Sequence, residues 1–99
     1  MEKTKEVTTS IGIFEVKKPK AGVRNRAISA AETDSGKMKT TLFMMILLPK
    51  CINRRPEAID DTVPMDQILD DMETEDYDLL VEALSELLYT EEPSEEKKA

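Results

Sequence analysis

The sequence predicts a mainly α fold: a small helical bundle with a short N-terminal β-strand or hairpin and a disordered acidic C-terminal tail. Three observations predict it. Apolar residues recur at the helical period from Tyr77 to Leu88. Seven apolar side chains stand in a row from Leu42 to Leu48, between a break at Gly36 and a proline at position 49. A stretch rich in β-branched residues, "VTTSIGIFEV", precedes both.

A chain of 99 residues suits one small domain with one core. Its apolar content of 39% is low and its charged content of 35% is high, so part of the chain is expected to stay solvated. The expected division is a flexible N terminus over 1–7, a single helical domain over 8–89 and a tail over 90–99. Within the first segment of the domain, Ile11 and Ile13 fall on one face of an extended chain and Phe14 and Val16 on the other. One strand is not stable alone, so it needs a partner from this chain or from a second copy. "KKPKAG" then reads as a turn.

In "VRNRAISAAETDSG" the residues Val23, Ala27, Ile28, Ala30 and Ala31 fit a short helix stopped by Gly36, although "VRNRAIS" also alternates like a strand. The next helix is expected over 38–48, with Met38, Leu42, Met45 and Ile46 on one face and Phe43, Met44, Leu47 and Leu48 spread around the cylinder. Pro49 should end it near Leu48, and 53–63 reads as a loop. Pro64 and Asp66 open a short helix over 64–72. The last helix, 74–88, carries the stripe Tyr77, Leu80, Val81, Leu84, Leu87 and Leu88, with Thr74 as its N-cap. The expected core is Leu42, Ile46, Leu69, Leu80, Val81 and Leu84. "TEEPSEEKKA" closes the chain as a polar tail.

Composition excludes several functions. With no histidine and one cysteine, Cys51, the chain lacks the usual general base, a disulfide and a thiol cluster for a metal. No enzyme, cofactor or metal is expected, and the acid pairs Asp60–Asp61 and Asp70–Asp71 do not match a calcium loop. The run 42–48 is too short to span a membrane and stands too far from the start for a secretory signal, so the chain reads as cytoplasmic.

Charge is split along the chain. Residues 1–55 carry 12 Lys and Arg against 5 Asp and Glu, whereas 56–99 carry 2 against 16, giving +7 and −14. Such a chain attracts itself, or copies of itself, so a homo-oligomer is expected. The basic residues Lys17, Lys18, Lys20, Arg24 and Arg26, extended by Arg54 and Arg55, could contact phosphates, but four aromatics and a pI of about 4.6 argue against nucleic acid. A helix apolar all round is enclosed by its own protein or covered by a partner. The candidate partner-binding residues are therefore Phe43, Met44 and Leu47, if they face outward, together with Arg24 and Arg26.

The order of an N-terminal strand, "GVRNRAI", an apolar helix ending "LLPKCI" and the acidic helix "YDLLVEALSELL" resembles the small tail assembly chaperones of tailed phages and prophages. The resemblance implies a non-catalytic, mainly helical, self-associating protein in the host cytoplasm. Its partner would be the tape measure protein, kept soluble while tail tube subunits polymerise around it. It also implies a longer second product made by ribosomal slippage, for which Lys97 and Lys98 mark the candidate codons. The alternative is a small acidic regulator or adaptor that contacts nucleic acid or a transcription component through its basic N-terminal half.

Overall fold

The computed structural model describes residues 3–33, 35–37 and 39–89. It corrects the helical-bundle expectation, because among the described residues four helices stand with a three-stranded antiparallel sheet; 54% of those residues are helix and 19% strand, an α/β mix. The elements follow the order β1 (Thr4–Thr9), β2 (Gly12–Lys17), α1 (Ala21–Ala31), α2 (Thr40–Cys51), β3 (Ile52–Arg54), α3 (Met65–Asp71) and α4 (Thr74–Tyr89). Met38 and the expected tail, with Lys97 and Lys98, lie outside the described residues. Residues 4–7, expected to be flexible, form the first four residues of β1.

The segment from Val7 to Val16 is a hairpin, with the strand broken at Ser10 and Ile11. Val7 pairs with Phe14 and Thr9 with Gly12. The Thr9 hydroxyl donates to the Gly12 carbonyl at 2.7 Å and accepts the Ile11 N–H at 3.3 Å, so the turn is closed by its own flanking threonine. Gly12 takes φ 132°, a region open to glycine, and Pro56 packs so close that a Cβ at position 12 would lie 2.6 Å from the proline Cβ. Alternation then sorts the faces: Val7, Phe14 and Val16 are buried, while Thr8 and Ile13 stay exposed on the open face.

The third strand was not expected. Residues 52–54 pair with β2 through Glu15 to Arg54 and Val16 to Ile52, with one β3 residue bulged between them. Asn53 donates to Glu15 at 2.8 Å, which supplies a side-chain tie across the irregular register. The rest of the expected loop is ordered by Arg55, whose Nη1 donates to the carbonyls of Asp60 and Val63, both at 2.8 Å.

Helix α2 also departs from the expected boundary. It runs through Pro49 to Cys51. The ring removes one helical N–H, which would have bonded the carbonyl of Met45. Met45 is 53% exposed, so that carbonyl lies on the side of the helix that water reaches. Phe43, Met44, Leu47, Leu48 and Cys51 form the buried face, whereas Leu42 is exposed and Ile46 half-buried. The expected core assignment is thereby overturned for Leu42, while Ile46 only packs against the core from its edge. Leu69, Leu80 and Leu84 are buried as expected, and Val81 is only half-buried.

Two helices flank α2. Helix α1 packs against it with the small residues Ala27 and Ala31 buried, and the Lys39 N–H at the start of α2 bonds the Ala31 carbonyl at 3.0 Å. Helix α4 lies against β1, β2 and α2, burying Leu80, Ala83, Leu84 and Leu87. Two polar ties hold α4 to the hairpin. The Lys5 ammonium pairs with the Glu86 carboxylate at the surface. Asp76, 6% exposed in the first turn of α4, accepts the Ser10 N–H at 3.0 Å on one oxygen and the Ser10 hydroxyl on the other. Among the described residues no helix is long and apolar enough to cross a membrane.

Gly12→Ala should cost about 3 kcal/mol or more, combining a disfavoured φ with the Pro56 overlap, as read by urea denaturation. Gly36→Ala has φ 87° to accommodate but nothing within 4 Å of the new methyl. Its cost should therefore be only about 1–2 kcal/mol. Asp76→Ala should cost about 1.5–3 kcal/mol, because the part-buried Ser10 N–H and hydroxyl lose a charged acceptor. A double-mutant cycle with Ser10→Ala should be non-additive; purely additive values would dissolve the tie.

Candidate partner-binding groove

The face of α2 opposite its buried side borders an open groove of about 940 Å³, walled by α3 and the start of α4. Leu42, Met45, Ile46 and Pro49 supply the α2 side, and Met65, Leu69, Met72 and Tyr77 the facing side. The spacing of Leu42, Met45 and Pro49 is i, i+3 and i+7, which puts them on one stripe of the helix. Three methionines in a single groove make its wall unbranched and deformable, suited to apolar partners of varied shape.

The structure separates the residues singled out from the sequence. Phe43, Met44 and Leu47 are 4%, 7% and 0% exposed, so they are core and do not face outward. The reason is geometric: α1, α4 and the sheet meet α2 on that side, and α3 is too short to cover the other. Arg24 and Arg26 are exposed on α1, which contributes no residue to the groove. Arg24 donates to the Asn25 side chain at 3.3 and 3.4 Å. The proposed basic extension does not join them, since Arg54 sits 3.7 Å from Glu15 and Arg55 clips the 60–63 loop.

Met72 and Tyr77 are groove residues that sequence reasoning did not assign to a site. Tyr77 belongs to the helical stripe, and its place in the groove opposite α2 is set by the tertiary structure. Burial pushes the Tyr77 hydroxyl above its ordinary value, and the carboxylates of Asp70 and Asp78 push it the same way. Asp66 and Asp70 line the groove rim and have no cationic partner among the described residues; Lys50 stands on the α2 side.

A smaller hollow of about 510 Å³ lies between the open face of the sheet and the 54–58 segment, with Ile11 and Ile13 beside Glu15, Arg54 and Pro56. Its charged walls already pair with each other through Glu15 and Arg54. Elsewhere, Asp60 is held below the ordinary carboxylate range, first by the Thr62 N–H and then by the Thr62 hydroxyl, with Arg55 adding to the effect. Those contacts shape a loop. Among the described residues no three His, Cys, Asp or Glu side chains are grouped to hold a metal ion.

Cys51 is fully buried at the end of α2. Burial raises its thiol from 9.0 to about 11, against a smaller lowering from Lys17. A thiol held neutral is a poor nucleophile. No family model, curated protein or solved structure shows a significant match to this chain.

The unfolded chain loses the Cys51 proton above pH 9.0 while the folded chain keeps it to about pH 11, so this group's contribution to stability falls as pH rises through that window. Urea midpoints measured across it should drop more steeply for the parent than for Cys51→Ala. Alkylation of the native thiol should be slow and should track unfolding; fast alkylation of folded protein would contradict the burial.

Proposed function

We propose that this chain is a non-catalytic protein-binding chaperone that holds an apolar helical segment of a partner in the groove between α2, α3 and α4. One observation carries the reading: Met45 is 53% and Leu42 37% exposed on a helix whose other side is core, so apolar surface is offered to something outside the chain. Exposed apolar patches of this kind mark interaction sites. From Thr41 to Lys50 the α2 wall advances about 13 Å, enough for anchors at i, i+3 or i+4 and i+7 of a docked helix.

The particular reading is a tail assembly chaperone of a tailed phage or prophage, acting in the host cytoplasm with the tape measure or tail tube protein as its partner. The resemblance in element order supports that step, and the groove supports the partner class. Self-association belongs to the same proposal. It is supported by the charge split, with Arg24 and Arg26 exposed on α1 and the acids concentrated from residue 56 onward. The regulator reading through the basic residues has less support, because Phe14 and Phe43 are buried and offer no stacking surface.

The double variant Leu42→Gln, Met45→Gln should melt within a few degrees of the parent, since both side chains are exposed. It should lose capture of a synthetic helical peptide with a Leu and Phe stripe, followed by fluorescence anisotropy. Phe43→Gln should instead lower the melting temperature sharply. If the double variant captures the peptide as well as the parent does, the groove is not the binding site.

A further inference from the structure

We infer that the groove's occupant is a basic amphipathic helix from another protein, its apolar stripe seated on Met45 and Met72 and its Lys or Arg flank facing Asp66 and Asp70. This rests on the groove reading above and names the chemistry of the partner. The groove combines an apolar floor with an acidic rim on the α3 side, where Asp66 and Asp70 are exposed and have no cationic partner among the described residues. A helix bearing Glu or Asp beside its stripe would meet like charge there, whereas one bearing Lys or Arg gains attraction and a faster encounter.

The chain itself does not supply this helix. Its basic helix is α1, and the apolar residues of α1 are already committed: Ala27 and Ala31 are buried, and Val23 and Ile28 are packed against the core. A second copy could offer α1 to the acidic rim without an apolar stripe, or its own Leu42, Met45 and Pro49 stripe with Lys50 as the one cation among the groove residues. Residues 90–99, "TEEPSEEKKA", contain no large apolar side chain and are net acidic. A different chain with several Lys or Arg beside its stripe matches the acidic rim better than any of these.

Three synthetic helical peptides separate the possibilities: a Leu and Phe stripe with Lys flanks, the same stripe with Glu flanks, and the Lys flanks with an alanine stripe. Binding to the full chain is measured by calorimetry at low and physiological salt. The expected result is that the Lys-flanked stripe binds at least about tenfold more tightly than the Glu-flanked one at low salt. Asp66→Asn with Asp70→Asn, or added salt, should shrink the gap. Equal binding of the two striped peptides would overturn the basic partner while leaving the groove reading intact. Binding of neither would overturn the groove reading itself. An alanine-striped peptide that binds as well as the leucine-striped one would reduce the site to general attraction by acid and overturn both. Sedimentation that shows a dimer dissolved by Leu42→Gln, Met45→Gln would overturn this inference in favour of a second copy in the groove.

Discussion

Helix α2 must be enclosed, and the rest of the molecule is arranged to meet that requirement. It carries apolar side chains on every side from Leu42 to Leu48, has no side-chain cap and no acid in its first turn, and contains a proline near its end. Little in its own termini holds it helical, so burial must. Three sides are covered. Helix α1 comes close through Ala27 and Ala31, α4 contributes Leu80 and Leu84, and the chain leaving Cys51 turns directly into β3 and joins the sheet. The fourth side is left to α3, whose seven residues extend only about 10 Å against about 18 Å for α2. That shortfall is the groove.

The hairpin meets a similar demand by different means. Two strands are marginal alone, and β3 adds three residues, so β1 and β2 depend on α4 to cover Val7, Phe14 and Val16. Apolar packing sets how closely α4 lies but is non-directional. Direction comes from Asp76, which reaches across 66 residues of sequence to take both the N–H and the hydroxyl of Ser10. A carboxylate this buried is tolerated because it has donors and stands at a helix N terminus. With Pro56 pressed on Gly12 and Lys5 paired to Glu86, the turn, the loop after β3 and both ends of α4 are registered on one another.

Function follows from what remains uncovered. Charge in the described structure is mostly on the outside, and the ion pairs seen, Lys5 with Glu86 and Arg54 with Glu15, are partly exposed and worth little to stability. Asp66 and Asp70 at the groove rim are outside these pairs. In the proposed reading, an apolar floor would supply affinity for a helical segment, and an acidic rim its orientation and sign. The cysteine, Cys51, is buried with its thiol held neutral, and among the described residues no three acids, His or Cys are grouped to hold a metal ion.

Local pattern was enough for some of this. The 3.6-residue stripe of α4, the proline and acid that open α3, and the alternation that puts Phe14 and Val16 on one face and Ile13 on the other are each properties of a few neighbouring residues, so the sequence by itself determined them; which face is buried it did not. It did not determine which side of α2 is core. A helix apolar all round has no moment to orient it, and only the positions of α1, α4 and the sheet decided that Phe43, Met44 and Leu47 turn inward while Leu42 and Met45 face the groove. Nor did it determine β3, since three residues ending "INR" have no period of their own and become a strand only because the edge of β2 lies beside them. Asp76 read as one more acid in a first turn, and its role in holding the hairpin exists only in the tertiary contact with Ser10, because a hydrogen bond across 66 residues leaves no trace in local sequence.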